Sequence, residues 1–448
     1  MTATAKERAR LGKSRREHVS RAALAQLDPK KRGFDPIDVL RASTEGRVPA
    51  LLPVKYARMR ESPFAFFRGA VSIMAADLGR LPNSGLHVQL CGDAHVQNLG
   101  SFATPDGKLV FDLNDFDETI RGPWEWDVKR MAASIVLAGQ ESGHDRPGCR
   151  DAAELFVESY CGALGGFSEM PILQVARYQI HREKRIQPIH AALRQSERAR
   201  PLDLLKRFTE KDSHGRPRFR DLRPGFWRIR GAKAKEVLTS LGAYRTSLAP
   251  ERRHLFDLFQ GIDVGFKVVG TGSVGLRDYV VLFEGNGEQD PMFLQIKQEV
   301  SSAYAKYLPA APQHARQNSA QNQGRRVAEG QRAIQPISDP LLGWTTVGHH
   351  HYVVRQLNDH KGSVDLQKLR GAGLRSLALV AGELLARGHA RSGDVCQILG
   401  YCGSGAKMAK VVRDFACEYA DQAEADYGAF VAAIKSGRIK VTKSGAKG

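Results

Sequence analysis

FKVVGTGSVGLRDYVVLFEGNGEQDPMFLQIK (Phe266–Lys297) is the stretch from which the fold is read. Gly270, Gly272 and Gly275 make a G-x-G-x-x-G spacing between two runs rich in valine and aromatic residues. A dinucleotide-binding crossover would need a helix directly after the glycines, with its positive end on the pyrophosphate. The next run, DYVVLFEG, is strand-like and ends in a Gly-Asn-Gly turn, which disfavours that reading. Three strand-like runs joined by glycine turns predict an antiparallel meander. Its third run ends in Lys297; alternation puts Phe293, Gln295 and Lys297 on one face and Met292, Leu294 and Ile296 on the core face. The lysine then lies beneath a lid formed by Gly270, Gly272, Ser273 and Gly275. Without side chains, such a lid can close its N–H groups over phosphates.

Working outward, a polar helix is predicted from about His314 to Gln335, and Glu329 on it is the expected anionic partner of Lys297. Strands are expected at Gly343–Val347 and His351–Leu357, then a polar hinge at Asn358-Asp359. The helix Leu374–Ala390 comes next, with Leu374, Leu377, Ala381, Leu384 and Leu385 on one face. Another helix spans Met408–Ile434. Upstream, helical spacing covers Ser62–Leu81, and Trp124–Gln140 opens a helical stretch that continues to about Lys211.

Two acidic loops lie between those helical stretches. Gly92-Asp93-Ala94-His95-Val96-Gln97-Asn98 comes after an apolar strand, and Asn114-Asp115-Phe116-Asp117-Glu118 closes the next hairpin. Phosphoryl transfer needs one carboxylate near the attacking hydroxyl and oxygen ligands for a divalent cation that bridges phosphates. Asp93 is the expected base, Asn98 a metal ligand and Asp115 the principal metal ligand. Asp117 either binds a second metal or caps the next segment of chain. His95 stands beside Asp93 among the catalytic candidates, as a group that orients the loop. Asp112, within the strand, is a weaker ligand choice.

These residues resemble the protein-kinase-like superfamily, and particularly its aminoglycoside-phosphotransferase branch, with a G-D-x-H-x-x-N loop and a later D-F-D or D-F-G motif. GDAHVQN (Gly92–Asn98) and NDFD (Asn114–Asp117) carry the likeness, and WEWDVKRMAAS, with Asp127, resembles the Asp-containing helix that comes next in that branch. More closely, SPFAFFRGA, GDAHVQN, NDFDE, PWEWD, VGTGSVG, LQIK, GQRAIQ, VVRQL and ARGHARSGD resemble a bacterial family catalogued as domain of unknown function 2252. The likeness implies an α+β, two-lobed kinase-like fold with ATP and Mg²⁺ (or Mn²⁺) as cofactors. In ordinary kinases the glycine loop and lysine precede the catalytic loop, whereas here Asp93 and Asp115 come first. A circular permutation reconciles the order, with a small antiparallel β lobe and a larger helical lobe built from both chain ends. HARSGD (His389–Asp394) is then the junction's remnant, or Asp394 a competing base.

The expected organisation is a basic arm (1–33), the catalytic-loop half of the helical lobe (34–215), and a linker and helix (216–260). The β lobe (261–358), the closing helices (359–435) and a basic tail (436–448) complete the chain. The formal charge of +19 favours anionic partners: nucleotide, a phosphorylated molecule or RNA. Met1–Arg32 carries ten Lys or Arg against three acidic residues, and reads as a solvated tail. No run approaches the roughly 20 apolar residues of a membrane span. Six scattered cysteines without a C-x-x-C pair fit a reducing cytoplasm. Two other functions stand beside kinase-like phosphotransfer or nucleotidyl transfer to an unknown hydroxyl. One is a metal-dependent phosphoesterase built on Asp93, His95, Asp115 and Asp117; the other is a non-catalytic nucleotide- or RNA-binding scaffold.

Overall fold

The computed structural model describes residues 3–28, 32–104, 109–179, 189–197, 201–268, 270–308, 322–357 and 362–441. The chain opens with helix α1 (Ala5–His18); among the helices after it, α2 (Leu52–Met59) and α3 (Pro63–Gly69) border the glycine loop. α3 starts where the Ser62 hydroxyl accepts the Ala65 N–H at 3.0 Å and Pro63 fills the first turn, where no N–H is missed. Strand β1 (His87–Leu90) runs into the first acidic loop; β2 (Leu99–Ala103) and β3 (Leu109–Leu113) form a hairpin that delivers the second. β4 (Ile120–Pro123) returns antiparallel to β1, so both loops leave from one small scaffold. α4 (Glu125–Glu141) and α5 (Arg146–Glu169) come after it.

Two runs of the predicted meander, DYVVLFEG and MFLQIKQ, are neighbouring strands in a six-stranded antiparallel sheet, whereas the first run meets its strand only at Phe266 and Lys267. The sheet's members are β5 (Phe226–Ile229), β6 (Gln260–Lys267), β7 (Asp278–Glu284), β8 (Pro291–Glu299), β9 (Gly343–Val347) and β10 (His350–Gln356), ordered β9-β10-β8-β7-β6-β5. Met292, Leu294 and Ile296 pack into an apolar core with Val237, Tyr244 and Phe256, as alternation requires. Lys297 lies on the other face, in register with Asp278 and Val353. Helix α6 (Gln323–Ile334) packs beside β10. The stretch expected as a linker contributes the edge strand β5 instead. Phe226 pairs with Lys267 and its ring fills the space above Gly265, where a Cβ would lie 2.3 Å from that ring.

The helical part draws on both ends of the chain. α7 (Gly373–Ser392), α8 (Val395–Cys402) and α9 (Ala406–Lys435) pack with α4 and α5 around Phe156, Leu377, Leu384, Val412 and Phe415. The basic arm is a docked helix rather than a solvated tail. Gly12 of α1 and Gly400 of α8 let the two backbones approach so closely that a Cβ at either would lie about 2 Å from a carbonyl. Arg16 donates to the Tyr401 and Gly400 carbonyls at 2.8 and 2.5 Å, and Arg21 to that of Cys402 at 2.7 Å. The arm's charge thus satisfies the open carbonyls at the end of α8. Among the described residues no helix is long and apolar enough to cross a membrane. The expected Asn358-Asp359 hinge lies outside the described residues, as does the first part of the helix predicted from His314.

Candidate functional site

The first acidic loop is held from within α4. Both oxygens of Asp127 accept buried N–H groups, Cys91 at 2.7 Å and Gly92 at 3.0 Å. Behind Asp127, His389 Nε2 lies 3.4 Å from its Oδ2, and the other ring nitrogen meets the Tyr160 hydroxyl at 2.7 Å. Gly92 has φ +84° and lies against the Glu118 carbonyl, where a Cβ would come within 2.1 Å. Glycine is therefore required where the two acidic loops meet. Asp127→Ala is expected to destabilise the fold by about 1–3 kcal/mol for each stranded N–H, read as a lower urea midpoint. An unchanged midpoint would remove Asp127 as the loop's support.

Asp93 leaves this loop toward the cleft with its side chain 17% exposed. Arg130, one turn beyond Asp127 on α4, donates from Nε to Asp93 Oδ1 at 2.6 Å. Burial raises the Asp93 pKa, opposed by Arg130 and Arg68. His95 Nε2 stands 3.7 Å from Asp93 Oδ2. Burial, then the Arg68 and Arg130 charges, hold the imidazole well below its usual pKa, so the ring is neutral. Its edge meets Phe64 of α3 at 6.3 Å between centroids, which suits an orienting group. Asn98 donates its amide to the Asp93 carbonyl at 2.8 Å.

The second loop meets the β8 lysine. Lys297 Nζ lies 2.6 Å from Asp117 Oδ1 and 3.6 Å from Asp115 Oδ1. From the glycine loop, the Ser273 hydroxyl donates to the other Asp117 oxygen at 2.9 Å. Burial works to lower the lysine's pKa, but Asp115 and then Asp117 outweigh it and raise it. Within the acid pair, burial and then Asp117 raise the pKa of Asp115. At Asp117 burial also raises it, but Lys297, the Asp115 hydrogen bond and Arg355 together lower it. Asp117 is thus the lysine's nearer counter-ion, and Asp115, 35% exposed, is the more open carboxylate of the two.

Glu329 does not take the place expected of it. It is exposed on α6 and paired with Arg325 at 2.7 Å. The same helix turns Arg326 inward, to the carbonyls of Asp117 and Val300 at 2.8 Å. The repeat Val327, Gly330, Gln331 and Ile334 marks the buried face, and Glu329 lies some 200° from Val327 on a helical wheel. That signal was present in the sequence. Asp394 is also structural: it caps α8 by accepting the Cys396 N–H at 3.0 Å and pairs with Arg8 at 3.0 Å.

Three basic residues that motif reading missed fasten the glycine loop. Lys55 donates to the carbonyls of Gly69, Thr271 and Gly272 at 3.1 to 3.2 Å. Arg47 reaches those of Gly272 and Val274 at 2.8 and 2.7 Å, and Arg58 that of Gly270. Burial, the largest influence, holds the Lys55 pKa well below that of a free amine. Gly270 and Gly275 have φ +63° and +96°, a region that disfavours other residues. No local spacing predicts a lysine more than 200 positions upstream as an anchor.

Asp115 is a carboxylate that could hold Mg²⁺, and Asn98 joins its loop through the backbone, accepting the Asn114 N–H at 3.0 Å. Mg²⁺ is commonly held by one or two protein carboxylates, with phosphates and water filling the octahedron. Among the described residues no cluster of three or more His, Cys, Asp or Glu is arranged to hold a metal alone.

The family model described as "Uncharacterized protein conserved in bacteria (DUF2252)" matches residues 47–433, and the chain belongs to that family. No curated protein and no solved structure matches the chain.

Proposed function

We propose that this protein is a phosphotransferase of the protein-kinase-like class, using ATP and Mg²⁺ (or Mn²⁺), with a circularly permuted chain. The observation that carries the reading is the meeting of Lys297 with Asp117 and Asp115, 180 positions apart in the first case, under a glycine loop whose Ser273 shares the same carboxylate. A lysine, a glycine lid and a metal-binding acid have one common use, the cradling of a triphosphate. The permutation draws support from the end of α7. There the Ser392 hydroxyl accepts the Gln89 N–H of β1 at 3.2 Å, and Arg121 of β4 donates to the Ser392 carbonyl at 2.9 Å. An unpermuted chain would pass from α7 into β1 at this point.

Mg²⁺ bound with ATP supplies charge neutralisation at the reacting phosphate. Asp93 accepts the acceptor hydroxyl's proton as the new oxygen–phosphorus bond forms and the bond to the nucleoside diphosphate breaks. Arg130 keeps Asp93 oriented, and Lys297 passes from Asp117 to the phosphates as the Ser273–Asp117 contact opens. A phosphoesterase built on the acids alone leaves Lys297 and the glycine loop without a task. The test is thermal unfolding with ATP, ADP or GTP, each with and without Mg²⁺ or Mn²⁺. A nucleotide at a hundred times its dissociation constant should stabilise the fold by about 2.7 kcal/mol. No shift with any nucleotide and metal would overturn the reading.

A further inference from the structure

The geometry points to Arg68 as the group that holds an anionic substituent of the phosphoacceptor, and so to an acceptor that is a phosphorylated or carboxylated alcohol. This inference rests on the phosphotransfer reading and narrows its substrate class. Arg68 sits in α3 between the two halves of the site. Its neighbour Phe67 gives its carbonyl to Arg130, the arginine that holds Asp93, at 3.2 Å. Its other neighbour, Gly69, gives its carbonyl to Lys55, the anchor of the glycine loop. A Cβ on Gly272 would stand 3.7 Å from the Arg68 carbonyl, so the lid lies directly against this residue.

The Arg68 guanidinium carries an unpaired donor: its buried Nε has no hydrogen-bond partner among the described residues. Burial lowers the Arg68 pKa, and the charges that oppose it are Asp93, then Asp115, Glu141 and Glu61. Asp93 is already bonded by Arg130 and Asp117 by Lys297. These pairings leave Asp115 the longer, 3.6 Å contact to Lys297. Arg68 Nε, without a partner among the described residues, leaves this arginine open to an anion.

The Arg68 charge bears on Asp93 and His95, whereas Lys297 answers to Asp115, Asp117, Glu299 and Arg355. On that ground the anion is assigned to the molecule whose hydroxyl Asp93 receives. A planar fork of N–H donors suits a phosphate or carboxylate and repels an ammonium. Cationic amino sugars are therefore poor acceptors for this site. The other source of such an anion is the nucleotide's own terminal phosphate, and the test separates the two.

The full chain is saturated with Mg²⁺ and a non-hydrolysable ATP analogue, so that the terminal-phosphate position is filled, and is then titrated calorimetrically with inorganic phosphate and with glycerol 3-phosphate. The native protein is expected to bind at least one of these, and glycerol not at all. Arg68→Gln and Arg68→Ala should weaken that binding at least tenfold, with Arg68→Lys intermediate, while affinity for the analogue changes less than threefold. Circular dichroism confirms folding, and Arg68→Lys decides if the other variants do not fold. Absence of anion binding to the native ternary complex, or anion binding indifferent to all three variants, would overturn the assignment. So would loss of affinity for the analogue with affinity for ADP retained, which would give Arg68 to the nucleotide. Failure of the native protein to bind the analogue would instead count against the phosphotransfer reading.

Discussion

Asp93→Asn is expected to lower turnover by about 10²–10⁴-fold, the usual contribution of a general base, with little change in the affinity for MgATP. Asparagine keeps the shape of the side chain but cannot take a proton at neutral pH. The nucleotide's contacts, on this reading, are with Lys297, Asp115 and the glycine loop, which the substitution leaves in place. Arg130 will lose its charged partner, so some stability is expected to go as well, and turnover must be measured on protein shown to be folded. Asp394→Asn is the matched control. Its carboxylate caps α8 and pairs with Arg8, and its loss should soften that helix without touching turnover. If Asp394→Asn abolished turnover and Asp93→Asn did not, the catalytic loop would have been placed wrongly.

Asp115→Ala is expected to abolish metal-dependent nucleotide binding, so that Mg²⁺ no longer adds to the thermal shift produced by ATP. At a hundredfold excess over the dissociation constant, the stabilisation forfeited is about 2.7 kcal/mol. Asp117→Ala should act differently. Removing the lysine's nearer counter-ion should preserve metal dependence and weaken the closed position of Ser273. Acid should imitate Asp115→Ala. Burial and the neighbouring Asp117 raise the Asp115 pKa, so protonation competes with Mg²⁺ at a higher pH than at an ordinary carboxylate. Metal-dependent affinity should therefore be full above the raised pKa and fall as pH drops through it. A Mg²⁺ effect that survives in Asp115→Ala, or that is flat from neutral pH to pH 5, would move the metal to other ligands.

Periodicity sufficed for the middle strands of the sheet, though not for its edge strand β5. Alternation in MFLQIK separated Met292, Leu294 and Ile296 from Lys297, because neighbouring side chains on a strand point to opposite faces whatever surrounds it. Gly343–Val347 is a strand at the predicted bounds, and Leu374–Ala390 lies within α7. GDAHVQN and NDFDE could be picked out because loops bearing several acids between apolar strands are seldom needed for packing alone.

Partnership was another matter. Lys297 finds its counter-ions in Asp117 and Asp115 and not in Glu329, since an ion pair depends on how distant segments fold together and not on which acid is nearer in the chain. The basic arm reads as a solvated tail from its charge. It is ordered because Gly12 and Gly400 permit close backbone approach and because α8 ends in carbonyls that need donors. Arg47, Lys55, Arg68 and Arg130 are commonplace in a chain with 67 lysines and arginines, and only their convergence on one cleft distinguishes them. Local sequence determines backbone conformation and which face is apolar, because those depend on residues a few positions apart. The identity of each charge's partner is decided by tertiary closure, because a charge removed from water must be met by whatever group the fold brings beside it.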